Sequence, residues 1–217
     1  MKYITLWLTA AGLLAAQLPL QAQTNGESEE QSLIAVLQSD QSPHDKDAAC
    51  ARLKRIGTDA SIPALAALLT VDQLSDSARY ALEPMTSEKA GQALIDALPK
   101  TTGANRIGII DSLAERHEQR AVTPLAALLA DPDITTAMTA AEALGKIGGP
   151  AAQHALDTAL NQASGPFRAA VLDALLQCAT ATHDRAERLC EREIRVSSFS
   201  TGVGFNVFIQ PPRDVCN

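Results

Sequence analysis

The sequence predicts an all-α fold, an α-solenoid of about five helix pairs followed by a non-repeat C-terminal tail. Three observations carry that reading. Leucines recur in fixed columns: Leu82, Leu113, Leu144 and Leu175 at intervals of 31, with Leu94, Leu125, Leu156 and Leu98, Leu129, Leu160 in the same register. Within each period the apolar residues fall at helical spacing, as at Ala140, Ala143, Leu144 and Ile147. The chain of 217 residues is 46% hydrophobic but only 3% aromatic, a composition that disfavours a β-sandwich or an aromatic stacking surface. A net charge of −7 argues against nucleic acid as a partner, because that task needs clustered Lys and Arg.

The elements follow in order. Met1-Lys2 and the apolar run from Ile4 to Ala16 read as a signal peptide over residues 1–22, ending after Ala22. The run is too short to span a bilayer, and no cysteine follows the cleavage point to carry a lipid. The expectation is export to a periplasmic or extracellular, oxidising compartment, with no membrane span in the remainder. Residues 23–44 read as a linker with a capping helix near 27–38, where Leu33, Ile34 and Leu37 share a face and Glu27, Glu29 and Glu30 charge the start.

Residues 45–194 read as the repeat array, with units near 45–70, 75–98, 105–130, 135–160 and 166–193. Stepping back 29 residues from the columns gives Leu53, Leu65 and Leu69, and Leu65 to Leu69 is repeated identically at Leu125 to Leu129. Each unit reads as two helices. The first stops at a glycine, Gly57 or Gly148, expected to form a left-handed C-cap. The second starts near a proline (Pro63, Pro124, Pro150), tolerated in a first turn because its missing N–H had no partner there. Asp131-Pro132-Asp133 supplies a turn and an acidic helix start. One such pair cannot bury its apolar face alone, whereas stacked neighbours can.

The run Ala140-Ala141-Glu142-Ala143-Leu144-Gly145-Lys146-Ile147-Gly148 after Asp131-Pro132-Asp133 resembles the HEAT repeat, in particular its short bacterial, phycobilisome-lyase-like variety. Residues 45–176 are also similar to secreted HEAT-repeat segments, through Ala48 to Leu53 with Ile56-Gly57, and Ala78 to Pro84. The resemblance implies a HEAT-type α-solenoid used for protein–protein contact, often as part of a larger exported protein, with no catalytic residue. Arg79-Tyr80 resembles the pair usual in the first helix, and a structural role is expected for it, the arginine stem lying on apolar surface and its head capping carbonyls. In the 131–160 unit the Val-Arg pair usual in the first helix is Thr136-Ala137, so that unit lacks the buried-stem arginine the resemblance implies.

The tail, 195–217, leaves the pattern. The columns call for apolar residues at 187 and 191, where the chain has Glu187 and Glu191. Val203, Phe205 and Val207 alternate as a strand does. A disordered tail, a cap over the last apolar face, and a shifted or truncated frame are the three readings. Of the four cysteines, Cys50 reads as a small buried apolar residue. Cys178 and Cys190 are a possible disulfide across the turn near His183, with Cys190–Cys216 as its rival.

No chemistry emerges from the motifs. Cys178, His183, Asp184 and Cys190 match no zinc spacing. No nucleophile elbow or phosphate-binding glycine loop occurs, and the four histidines are scattered, with His117 in a charged turn. Neither a cofactor nor a metal is expected. The leading expectation is an exported, non-catalytic interaction module, an adaptor or scaffold with a protein partner. The alternative is a lyase-like or other enzyme-associated subunit. A binding surface is expected along the second helices, at Gln92, Thr123 and His154 with Asp96 and Thr158 beside them, a polar strip of low charge that suits a protein rather than a polyanion.

Overall fold

The computed structural model describes residues 29–180. The expected signal peptide, Cys190, Cys216 and the tail lie outside them. Among the described residues every regular element is helical, and the chain divides into two compact units, one ending at Ala97 and the other starting at Leu98.

The first unit holds α1 (residues 29–38), α2 (Pro43–Ile56), α3 (Ile62–Leu68), α4 (Ser75–Leu82) and α5 (Glu88–Ala97). The second opens with a 3-10 turn, Leu98–Lys100, followed by α6 (Gly103–Glu115), a 3-10 turn at Gln119–Ala121, α7 (Val122–Leu128), α8 (Ile134–Ile147), α9 (Pro150–Leu160) and α10 (residues 165–180). Like packs on like in both units: α2 on α4 and α3 on α5, then α6 on α8 and α7 on α9. This is the α-solenoid packing that the leucine columns predict.

The columns are the core as far as Leu144 and Leu156, whereas Leu175 of the first column is only half-buried. Leu53, Leu82, Leu113 and Leu144 are fully buried, as are Leu65, Leu94, Leu125 and Leu156. Burying each such side chain contributes about 1.5–3 kcal/mol. The third column is weaker, since Leu69 and Leu98 are buried but Leu129 and Leu160 only half so.

Local sequence sets the helix ends. The Ser42 hydroxyl accepts from Asp45 N at 3.2 Å, and Pro43 occupies the first turn of α2. Asp133 caps α8 more completely: its carboxylate accepts from the backbone N–H of Thr135 and of Thr136, both at 3.2 Å, and from the Thr136 hydroxyl at 2.7 Å. Thr136, standing where the resemblance calls for valine, is buried.

The two expected glycine caps differ. Gly148 ends α8 at φ 66° and ψ −176°, a positive-φ conformation that needs glycine but is extended in ψ rather than left-handed helical. Gly57 has φ −62° and ψ 139°, ordinary extended backbone, so the left-handed reading is wrong there. Crowding explains that glycine instead. A Cβ on Gly57 would lie 2.5 Å from Leu53 O and 2.7 Å from Met85 Cε.

Candidate protein interaction surface

The inner ends of the helices are tied by polar contacts that reach back or forward by about one repeat. In the first unit Glu30, buried on α1, accepts from Thr58 N at 2.7 Å and from the Thr58 hydroxyl at 3.0 Å. Arg52 of α2 grips Glu29 with two hydrogen bonds of 2.6 and 3.0 Å, which pulls the Glu29 carboxyl below its ordinary pKa. Ser77 of α4 donates to Asp47 of α2. The acidic start of α1 is therefore a docking device as well as a dipole partner. The sequence signal was there, in polar residues spaced 28–30 apart.

The second unit repeats the principle. His117 Nδ1 sits 2.9 Å from Lys146 O, and Gln119 Nε2 donates to Ile147 O at 3.0 Å. The α6–α7 loop thus satisfies carbonyls that the end of α8 leaves open. Lys146 Nζ meets Glu115 at 2.7 Å. Arg106 of α6 donates to Thr101 O at 2.6 Å and to Asp131 at 3.1 Å, joining two turns.

These contacts leave the second helices presenting short polar side chains outward. On α5, Gln92 and Asp96 are exposed, and Gln92 Nε2 donates to Asp96 Oδ1 at 2.8 Å, one helical turn away. On α7 and α9, Thr123, His154 and Thr158 are exposed. The Thr158 hydroxyl donates to His154 O at 2.8 Å, so part of its capacity is used within its own helix. The first pair belongs to the first unit and the other three residues to the second.

Arg79 and Tyr80 part company on α4. Arg79 is buried, pairs with Asp76 at 2.9 Å and lies 4.4 Å over the Tyr80 ring. Tyr80 itself is 50% exposed, and Lys54 of α2 approaches its ring at 5.7 Å. Its ring is thus flanked by two cations.

A cleft of about 330 Å³ opens between the α2–α3 and α4–α5 loops, lined in part by Thr58, Asp59 and Ser87. The Ser87 hydroxyl, then Lys89 at 3.0 Å, hold the Asp59 carboxyl below its ordinary pKa. Its acid is thus ionised and paired, which suits a fixed loop better than proton transfer. The cleft is not legible in the leucine pattern.

Cys50 is fully buried, and burial, with Asp47 nearby, pushes its thiol up to about 11. Cys178 is buried with its Sγ 3.7 Å from Gly149 O, and burial again raises the thiol. Its expected partner, Cys190, is outside the described residues, as are His183 and Asp184. Among the described residues no group of three or more His, Cys, Asp or Glu is placed to hold a metal ion, and no helix is long and apolar enough to cross a membrane.

Helix pairs packed like on like, with leucine columns inside and cross-repeat polar ties at the loops, define a helical-repeat protein of the α-solenoid class. Residues 91–184 match the family model for HEAT repeats, and this similarity supports the HEAT-repeat reading of the chain. No curated protein matches the chain.

Proposed function

We propose that the chain is an exported, non-catalytic protein-interaction module, acting as an adaptor or as the scaffold segment of a larger exported protein. The observation that carries this reading is the similarity of residues 91–184 to HEAT repeats, which generally mediate protein–protein contact. The exposed residues of the second helices fit it. Thr123, His154 and Thr158 offer hydrogen-bonding groups of low charge on neighbouring helices, with Gln92 and Asp96 doing the same on α5. Such a surface binds through shape and dispersed hydrogen bonds rather than through a charged anchor. The N-terminal apolar run supports export.

The test is affinity capture of the processed protein from the exported fraction, with mass spectrometry. Two surface variants run beside it, Thr123→Arg with His154→Glu, and Gln92→Arg with Asp96→Lys. One stoichiometric protein retained by the natural chain and lost by either variant supports the module. Retention by both variants removes the proposed surface, and absence of any companion removes the adaptor reading. A chromophore absorbing in the purified protein would favour the lyase-like subunit instead.

A further inference from the structure

The described part of the second unit ends on a helix whose outer face is apolar and uncovered. Along α10, Ala169, Leu172, Leu176 and Ala179 are all exposed, at the spacing of one helical stripe, with Leu172 at 43% and Leu176 at 67%. One repeat earlier the same two leucine positions are Ala141 and Gly145, and one repeat before that Ile110 and Ala114; all four are buried. The array therefore treats this stripe as an inter-repeat contact, and on α10 none of the described residues supplies one.

The residue sizes exclude another repeat packed on α10 as closely as α10 packs on α8. Gly145 lets α10 come so near that a Cβ on it would stand 2.8 Å from Ala174 O and 2.9 Å from Ala174 Cα. Leu176, in the place of Gly145, cannot accept a helix at that distance. A second copy is also a poor fit. Two leucines and two alanines expose far less than the roughly 800 Å² that each partner buries in a stable pair.

We propose that the face is covered by this chain's own residues 196–209. The connecting stretch 181–195 carries eight charges, from Asp184 to Arg195, and suits water. Residues 196–209 carry none, and hold Phe199, Phe205 and Phe208, three of the four phenylalanines of the chain. Val203, Phe205 and Val207 alternate and, when extended, span about 13 Å. The stripe from Ala169 to Ala179 runs about 15 Å along its helix. The covering segment is tethered to α10, so the contact is intramolecular, at a high effective concentration and without the cost of association.

The experiment places a photoreactive benzoylphenylalanine at position 176 of the full chain, with exposed position 177, about 100° away around α10, as the control. The expected result is a cross-link within one molecule from 176 to residues 196–209, about tenfold above the yield from 177. Cross-links between copies, with a mass in light scattering that rises with concentration, would assign the face to self-association and overturn the proposal. So would an absence of cross-links to 196–209. The pair Leu172→Glu and Leu176→Glu changes only exposed side chains and spares the core. It is expected to speed tryptic cleavage after Arg195 by about tenfold; an unchanged rate sinks the idea.

Discussion

His117 Nδ1 lies 2.9 Å from the carbonyl oxygen of Lys146, although the two residues are 29 apart in the sequence. The histidine holds φ 47° to make this contact, a region that costs a non-glycine residue. Gln119 makes the neighbouring contact to Ile147 O from ordinary backbone. The two substitutions should therefore differ. Gln119→Ala is expected to lower stability by about 1 kcal/mol. His117→Gly loses a similar hydrogen bond but relaxes the backbone, and its net effect should stay within about 0.5 kcal/mol. Urea unfolding of both variants checks the contrast.

Gly145→Ala opposes two effects. Alanine gains about 1 kcal/mol of helix propensity over glycine. The new Cβ, however, meets backbone atoms of Ala174 at 2.8 and 2.9 Å. Overpacking of this kind costs about 1–3 kcal/mol, so the variant should be less stable. Adding Ala174→Gly should restore little, because the carbonyl and Cα remain. Thermal unfolding of the single and double variants decides; full rescue would show that the Cβ contact, at 3.1 Å, was the important one.

The leucine columns made the core legible because burial at a fixed period leaves a mark in one dimension. Leu53, Leu113 and Leu144 were found that way. The Gly57 error has a simple cause: a glycine after a helix signals either φ freedom or lack of space, and the sequence does not distinguish them. Gly148 needs the first and Gly57 the second. The ties from Glu30 to Thr58 and from Arg106 to Asp131 escaped because single polar pairs at a repeat spacing look like ordinary surface. Of the expected surface, exposure of Thr123 and His154 was readable from the helical phase, whereas the Gln92–Asp96 and Thr158–His154 hydrogen bonds needed coordinates.

Glu30 is the first unit's counterpart of that loop contact. Its carboxylate is the acceptor for Thr58 N–H and hydroxyl, and only 5% of the residue is exposed. Glu30→Ala leaves both donors without it and is expected to cost about 1–3 kcal/mol. Glu30→Gln keeps one acceptor oxygen and should lose less. Amide hydrogen exchange at Thr58 is the direct readout, faster in the alanine variant and nearly normal in the glutamine one.

Asp133 gives a pH signature. The Thr136 hydroxyl, together with the Thr135 and Thr136 N–H groups, outweighs desolvation and holds its carboxyl below the ordinary value of 3.8. A depressed native pKa means that the native state binds fewer protons than the unfolded chain. The contribution is therefore complete above about pH 5 and is lost as pH falls through the ordinary value towards the lower native one. Asp133→Asn keeps a cap but has no such proton, so its stability should fall less between pH 5 and pH 2 than that of the natural chain. Equal slopes in acid titration of the two would count against this assignment.

The exposed ring between Lys54 and Arg79 has an optical consequence. Beyond residue 22 the chain holds no tryptophan, and Tyr80 is its single tyrosine. A chain cut to residues 23–217 would therefore carry one tyrosine and no tryptophan, at the seam where α2 meets α4. There its tyrosine emission reports that seam. Separation of α2 from α4 removes Lys54 from the ring while Arg79, its chain neighbour, stays near. Loosening of the first unit can thus be followed without a label, in a protein whose second unit remains dark.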